Sequence, residues 1–238
     1  MSTKSAFLNG ILTYFDSITH ERVKPLAPCV FYEDFLGKDT IPPDRFTYID
    51  VSVAGNTTPL IAADVANGVL RLPLDVTSEA QETGFTWNDQ RPLVLNQGLV
   101  IEMGVSLQTL PTLLSISVWG VAGNKNAVAD TVAESIWFRV DGSGAVTVES
   151  DDTVNEKAVI VTGVTFTAGQ KKTFRIDCTT ITNIKFFIDG VGVATDTTFN
   201  MSTVPTLALQ PYAHLAKASG AGLGVMDVDF IRVWQHRS

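Results

Sequence analysis

The sequence has few cysteines, no long apolar run and no cluster of basic residues. Two cysteines in 238 residues, Cys29 and Cys178, are too few for a disulfide framework. No run of about 18 apolar residues is present, which argues against a membrane-spanning helix. The densest basic stretch is Lys171-Lys172 and the net charge is −8, so the surface should repel phosphate backbones. We therefore expect neither a membrane nor a nucleic-acid partner.

The N-terminal residues also lack the features of a secretory signal peptide. Their apolar stretch is interrupted by Asn9, Gly10 and Asp16, and no small-residue cleavage site follows. Together with the scarcity of cysteine, this predicts that the chain folds in a reducing cytoplasm.

From Cys29 onward the apolar residues alternate with polar ones, as in half-buried antiparallel strands. In the run "LVIEMGVSL" every second residue from Leu99 to Leu107 is apolar, so these side chains share one face. In "TFRIDC" every second residue from Phe174 to Cys178 follows the same pattern. In "LLSISVWGV" the alternation predicts that Trp119 lies opposite the apolar face. The Asp189-Gly190 pair between two apolar runs is a strong hairpin signal. Length and spacing predict one all-β domain, a two-layer antiparallel β-sandwich spanning residues 28–238.

Residues 1–27 differ from this pattern and form a separate N-terminal arm and linker. Apolar residues recur at helical spacing over residues 7–18, and Pro25 and Pro28 follow, so a short helical or extended arm is expected. Three basic and two acidic residues give the arm a net charge of +1, against −9 for the remainder. A lone amphipathic helix of this length is marginal in water, so its apolar face needs a surface. That surface is either its own sandwich or a partner chain. The predicted partner-binding residues are Phe7, Leu8, Ile11, Leu12, Phe15 and Ile18.

Three stretches resemble the concanavalin A-like lectin and glucanase superfamily: "VFYEDFLG" at residues 30–37, "NIKFFIDGVGVAT" at residues 183–195 and "MDVDFIRVWQ" at residues 226–235. The resemblance implies a concanavalin A-like jelly roll. This superfamily includes glycoside hydrolases, lectins, laminin-G modules and virion proteins of tailed bacteriophages. The organisation of this sequence, with an arm before an acidic and cysteine-poor sandwich, resembles the phage structural proteins of the superfamily. Several of those proteins decorate capsids.

The catalytic pattern of the hydrolases in this superfamily is missing from the sequence. Those enzymes use Glu, Asp and Glu at alternate positions of one strand, and no E-x-D-x-E occurs here. The nearest candidate, "GLVIEMGVSL", offers only Glu102. Asp227 and Asp229 are best interpreted as the polar side of the last strand, and no histidine pair has metal-ligand spacing. We therefore predict no catalytic residues, metal or cofactor.

The sequence thus favours a non-enzymatic virion structural protein, assembled in the host cytoplasm. Its arm would bind the major capsid protein or another virion subunit, and it would form a homo-oligomer, with a trimer as the first expectation. The alternative is a carbohydrate-binding module that contacts host glycans, for which Trp119 and Trp137 are the candidate residues. A glycoside hydrolase built around Glu102 is less favoured.

Overall fold

The computed structural model describes residues 3–8, 11–16, 22–23, 29–36, 42–112, 114–203 and 208–236, with side chains from residue 31 onward. These residues form a two-layer β-sandwich of two eight-stranded antiparallel sheets and a separate three-stranded sheet in the arm. The described helical structure consists of two single 3-10 turns, at Leu95–Gln97 and Ala129–Thr131. The all-β, two-layer prediction is therefore confirmed.

The first sandwich sheet, sheet I, contains the last strand of the chain near its centre. In spatial order its strands are β17 (Val191–Val193), β16 (Lys185–Ile188), β15 (Lys171–Asp177), β10 (Val100–Thr109), β19 (Gly224–Gln235), β7 (Leu70–Leu74) and β6 (Leu60–Ile61), with β4 (Cys29–Glu33) also beside β19. β19, the last strand, pairs over one half with β7 and over the other half with β4, the first strand of the sandwich. The beginning and the end of the sandwich therefore lie side by side in one sheet.

The second sandwich sheet, sheet II, carries the longest described loop between two of its strands. Its order is β14 (Lys157–Thr165), β13 (Ala145–Asp151), β12 (Ser135–Val140), β11 (Ser115–Ala122), β18 (Ala208–Lys217), β8 (Gln81–Thr86) and β5 (Thr47–Val51), with β9 (Leu93–Val94) also beside β18. We call residues 123–134, between β11 and β12, the capping loop.

The core between the sheets follows the alternation expected from the sequence. Leu99, Ile101, Met103, Val105 and Leu107 are all at most 2% exposed. The predicted hairpin is also present, since β16 and β17 flank Asp189 and Gly190, both with positive φ as a type I′ turn requires.

Strand β11 reverses the facing expected from its alternation. Trp119 lies between the sheets, stacked on Phe138 and edge-on to Phe174. Val118 instead lies on the outer face of sheet II, in a small apolar cluster with Trp137 and Tyr212. The capping loop buries this cluster through Ala129 and Val132, so an outer face can be apolar without facing water.

The arm is a β-hairpin with a third strand, and the expectation of a helix is therefore replaced by its extended alternative. Strands β1 (Thr3–Leu8) and β2 (Ile11–Asp16) pair so that Phe7 lies opposite Leu12 and Leu8 opposite Ile11, and β3 (Arg22–Val23) pairs with β2. The strands hydrogen-bond to one another across the hairpin, whereas a lone helix of this length is only marginally stable in water. Ile18 and most of the linker lie outside the described residues.

Candidate functional site

A cleft of about 230 Å³ opens on the outer face of sheet II, beside the capping loop. Strands β12 and β13 form its floor, and the start of β14 forms one wall. We call it the β12–β13 cleft. Its polar floor comes from the hairpin register, which places Trp137 opposite Glu149 and Ser135 opposite Asp151. Residues two apart on a strand share a face, so Ser135, Trp137 and Arg139 line the same surface.

Arg139 and Glu149 are the central charges of this cleft, and both are almost completely buried. Glu149 accepts a hydrogen bond of 2.7 Å from Trp137 Nε1 and one of 3.0 Å from Arg139 Nη1. The same Nη1 also contacts Asp130 of the capping loop. Burial lowers the pKa of Arg139, but Glu149 and Asp130 outweigh that effect, so the net shift of the pKa is upward.

Asp130 and Glu149 form a pair of carboxylates, but their geometry differs from that of a glycosidase pair. Asp130 and Glu149 both contact the same guanidinium nitrogen, so they lie close together across the cleft. A glycoside hydrolase needs one of its two carboxyl groups free to donate a proton and the other free to attack the sugar or activate water. Here one oxygen of each carboxylate contacts Arg139 Nη1 instead.

The other acids singled out in the sequence are also paired with cations. Glu102 lies between Arg175 and Arg232 on the adjacent strands, and Arg232 Nη1 is 3.3 Å from its carboxylate. Asp227 accepts two hydrogen bonds of 2.8 Å from Arg71, and Asp229 pairs with Lys171 at 2.9 Å. Each therefore has a structural partner on the outer face of sheet I, as expected for the polar side of a strand.

The capping loop is held onto sheet II by a second polar cluster. Glu82 Oε2 lies 2.8 Å from Lys125 Nζ, a loop residue, and 3.2 Å from Nε2 of the buried His214. Hydrogen bonding to His214 and Lys125 lowers the pKa of Glu82 to about 2. Burial lowers the pKa of His214, and its contact with Glu82 only partly opposes this.

Trp119, Trp137 and Cys178 are buried in the structure. Trp119 is fully buried between the sheets and Trp137 is 1% exposed beneath the capping loop, so neither presents a free ring face. Trp87 and Trp234 are half-buried. Cys178 is a fully buried thiol whose pKa is raised by burial, as expected for a core residue.

Within the described part of the chain, no three His, Cys, Asp or Glu side chains are grouped closely enough to hold a metal ion. Over the same residues, no helix has the length and apolar character needed to cross a membrane.

Sequence reasoning missed the pairing of Arg139 with Glu149, although a signal for it was present. The Gly-rich turn marks the hairpin, and once Val140 is paired with Val146 across residues 141–145, counting outward places Trp137 opposite Glu149. Asp130 could not have been found in this way, because only the fold of the capping loop brings it to Arg139.

Comparison with known proteins gives matches in structure only. No protein-family model and no curated protein sequence matches the chain. A β-1,3-glucanase from Mycobacterium marinum superposes with a TM-score of 0.56 at 17% identity, covering 88% of this chain and 100% of that one. The laminarinase from Rhodothermus marinus gives 0.57 at 10% identity, with 87% and 97% covered. The carbohydrate recognition domain of Emp47p gives 0.53 at 8% identity, with 85% and 93% covered.

Identities this low carry information about the fold alone. The likeness extends over most of both chains in each comparison and matches the layered antiparallel architecture described above. The chain therefore has the concanavalin A-like jelly-roll fold.

Proposed function

We propose that this chain is a non-enzymatic structural protein of a virion, attached to a neighbouring subunit through its N-terminal arm. The observation that carries the proposal is that β1, β2 and β3 form a sheet of their own, which no described strand of either sandwich sheet joins. Neither edge of this sheet pairs with another described strand, and an unpaired strand edge is a ready template for pairing with another chain.

The character of the sandwich supports a passive role. The acids that sequence analysis singled out all pair with cations, and the capping loop covers the apolar outer face of sheet II. The assignment to a virion, with the major capsid protein as the expected partner, rests on the resemblance to phage structural proteins. A homo-oligomer, with a trimer as the first expectation, suits an arm repeated over many copies, because linked weak contacts add up.

The test is occupancy on purified particles. Deleting residues 1–24 should leave a folded protein that no longer joins particles, measured by quantitative mass spectrometry of the particle against free protein. Ile11→Asp, which places a charge in β2, should lower occupancy in the same way, whereas Thr13→Ser should not. Normal occupancy of the deletion variant would show that the arm is not the anchor.

The second candidate function is carbohydrate binding in the β12–β13 cleft, without catalysis. The specific observation in its favour is that Arg139 Nε, on a residue that lines the cleft, has no hydrogen-bond partner within the described structure. Asp151, Glu156 and Lys157 add polar groups at its rim. Two of the structurally similar proteins are described as a β-1,3-glucanase and a carbohydrate recognition domain.

This candidate is tested by glycan-array and calorimetric binding with the full chain. Glu156→Ala, at the exposed rim, should weaken binding, whereas Glu102→Ala on the opposite sheet should not. The hydrolase alternative is tested by reducing-sugar release from β-glucans and galactans. We expect no turnover, and turnover abolished by Glu149→Gln would contradict the non-enzymatic proposal.

A further inference from the structure

The first half of the capping loop covers a column of three side chains on β18. Gln210, Tyr212 and His214 are spaced two apart, so they share the outer face of sheet II, and each is at most 1% exposed. The loop contacts this column through two carbonyl oxygens: Gly123 O accepts from Gln210 Nε2 at 2.6 Å, and Asn126 O accepts from the Tyr212 hydroxyl at 3.4 Å. The loop therefore keeps water from a strand face that carries a titratable side chain.

One carboxylate oxygen joins the capping loop to His214. Glu82 Oε2, on β8, lies 2.8 Å from Lys125 Nζ and 3.2 Å from His214 Nε2. The Lys125 side chain is one-third exposed, whereas His214 is almost inaccessible to water and belongs to a strand that is paired on both sides. Lys125 can therefore leave the oxygen for solvent more easily than His214 can.

The other described neighbours of His214 are uncharged. Across the sheet it pairs with Gly84 of β8 and Val118 of β11, and its ring lies 5.6 Å from that of Tyr212 on its own strand. The Tyr212 hydroxyl stays neutral, because burial raises its pKa well above the usual value. Within the described chain, Glu82 and the loop lysine are therefore the charged groups that face His214.

Residues 125–128, which we call the strap, depend on the Lys125–Glu82 pair for their attachment. The other described hydrogen bonds from the strap to residues outside the capping loop are longer. The Lys125 N–H donates to Asp89 at 3.2 Å, and the Asn126 carbonyl accepts at 3.4 Å as described above. The ion pair at 2.8 Å is thus the strongest of the three contacts.

The strap lies between two fixed points. Before it, Asn124 is held by Arg91, and after it, Ala129 is buried in the apolar cluster of the outer face. Beyond Ala129, Asp130 contacts Arg139. None of these contacts involves a histidine, so a change in histidine charge acts on the strap and leaves both fixed points in place.

From this geometry we propose that the strap is a proton-linked lid, in which protonation of His214 displaces Lys125 from Glu82. The strap is then released from sheet II, and the Tyr212 ring becomes accessible. Two cations compete for one carboxylate oxygen, and the more exposed of them leaves. This lid is independent of both candidate functions above, since it uses neither the arm nor the β12–β13 cleft.

The pH at which the lid opens depends on the hydration of His214. In the closed state burial lowers the pKa of His214, and repulsion from Lys125 adds to this effect, although Glu82 opposes both. Release of the strap lets water reach the ring, so its pKa returns towards the usual value of about 6.5. The open state then binds a proton that the closed state excludes, and opening increases below about pH 6.5 by at most about tenfold per pH unit. Glu82 stays ionised throughout, because its pKa is lowered to about 2.

The experiment is hydrogen–deuterium exchange of the full chain at pH 7.5 and pH 5.0, with exchange times scaled for the intrinsic pH dependence of amide exchange. Peptides that contain the strap are followed by mass spectrometry, because the Lys125 amide donates a hydrogen bond in the closed state. Their scaled exchange should rise at pH 5.0 by about threefold to thirtyfold, the upper value being the limit for one group about 1.5 pH units below its pKa. Peptides from β10 should remain protected at both pH values.

Two pairs of variants identify the groups involved. His214→Gln keeps a hydrogen-bond donor for Glu82 but cannot take up a proton in this range, so the scaled exchange of the strap should no longer depend on pH. His236→Gln, at an exposed histidine after β19, is its matched control and should keep the full rise. Lys125→Met removes the ion pair and should raise exchange of the strap at pH 7.5 by about threefold, whereas Lys157→Met at the exposed start of β14 should not.

Three results would overturn the proposal: equal scaled exchange of the strap at the two pH values, a rise that persists in His214→Gln, or a rise of the same size in β10, which would indicate global unfolding. If His214→Gln does not fold, judged by loss of protection in β10 at pH 7.5, the lysine variant decides. Unchanged exchange of the strap in Lys125→Met would then show that this lysine does not hold the lid closed.

Discussion

Glu149 is a residue on which the local structure of sheet II depends. Its carboxylate is the acceptor for both the Trp137 indole and the Arg139 guanidinium, and all three side chains are nearly inaccessible to water. Buried charges are tolerated only when they are paired, and removing one partner leaves the other without compensation.

We therefore predict that Glu149→Ala lowers the free energy of unfolding by about 3 kcal/mol, because it leaves Arg139 and the indole N–H without their buried acceptor. Urea denaturation at pH 7 measures this change. Asp130→Asn is the control: the Asp130 side chain is 57% exposed, so its loss should cost less than about 1 kcal/mol. Equal effects of the two substitutions would contradict this account of the cluster.

His214 makes the stability depend on pH in a defined direction. Its pKa is lowered by burial, so the native state stays neutral at a pH where the unfolded histidine, with a pKa near 6.5, binds a proton. The unfolded state then holds more protons, and stability falls as the pH decreases below about 6.5. The lowered pKa of Glu82 adds a second loss, which begins near the unfolded value of 4.5 and continues towards pH 2.

We expect the free energy of unfolding to decrease between pH 6.5 and 5 with a slope from His214 of at most about 1.4 kcal/mol per pH unit. In His214→Gln this part of the slope should disappear, while the decrease below pH 4.5 changes less. Denaturant titrations across this range, on the natural chain and the variant, make the comparison. Identical slopes would mean that His214 is not the titrating group.

At the scale of elements, a β-bulge in β19 decides which residues of the last strand face the core. The register with β10 shifts between Gly104 and Val105, so that Gly104 lies opposite Phe230 and Val105 opposite Val228. Before the bulge Met226 and Val228 face the core, and after it Ile231 and Val233 do. Phe230 consequently lies flat over Gly104 on the outer face, where a Cβ at residue 104 would approach the Phe230 ring to 2.6 Å.

Close approach of β8 and β18 gives the second element-level prediction. A Cβ built on Gly84 would lie 2.3 Å from the carbonyl oxygen of Ala213, far inside van der Waals contact. Gly84→Ala should therefore destabilise the protein by about 1–3 kcal/mol or more, because the two strands must separate. Gly192→Ala in β17 is the matched control, since its nearest neighbour is at 3.5 Å, and its effect should stay within about 0.5 kcal/mol. Thermal unfolding of both variants measures the two effects, and equal destabilisation would contradict the explanation by close approach of the strands.

At the scale of the whole molecule, the described strands of the sandwich and those of the arm belong to separate hydrogen-bonded sheets. Strand β4 begins at Cys29 and pairs with the end of β19, so the sandwich is closed by residues that all follow the linker. The division of charge, positive in the arm and strongly negative in the remainder, follows the same boundary. A chain of 211 residues remains after the arm is removed, which is large enough for an independent core.

We therefore expect a variant lacking residues 1–27 to fold and to keep its Tm within about 5 °C of the full chain, since about 1 kcal/mol corresponds to 2–4 °C at this size. Calorimetry measures the shift, and size-exclusion chromatography with light scattering measures whether the variant loses oligomers that the full chain forms. Aggregation, or a fall in Tm beyond about 10 °C, would show that the arm belongs to the core of the sandwich.

The sequence by itself determined the class of the fold and much of the core. Alternation along β10 and β15 fixed which side chains are buried, and the Asp-Gly pair fixed a hairpin, because both signals depend on neighbours along the chain. Tertiary structure alone decided the bulge in β19, the reversed facing of β11 beneath the capping loop, and the meeting of Asp130, Arg139 and Glu149. Each of these depends on which distant segment covers a face, and a period-two pattern records that a face is apolar without recording what covers it.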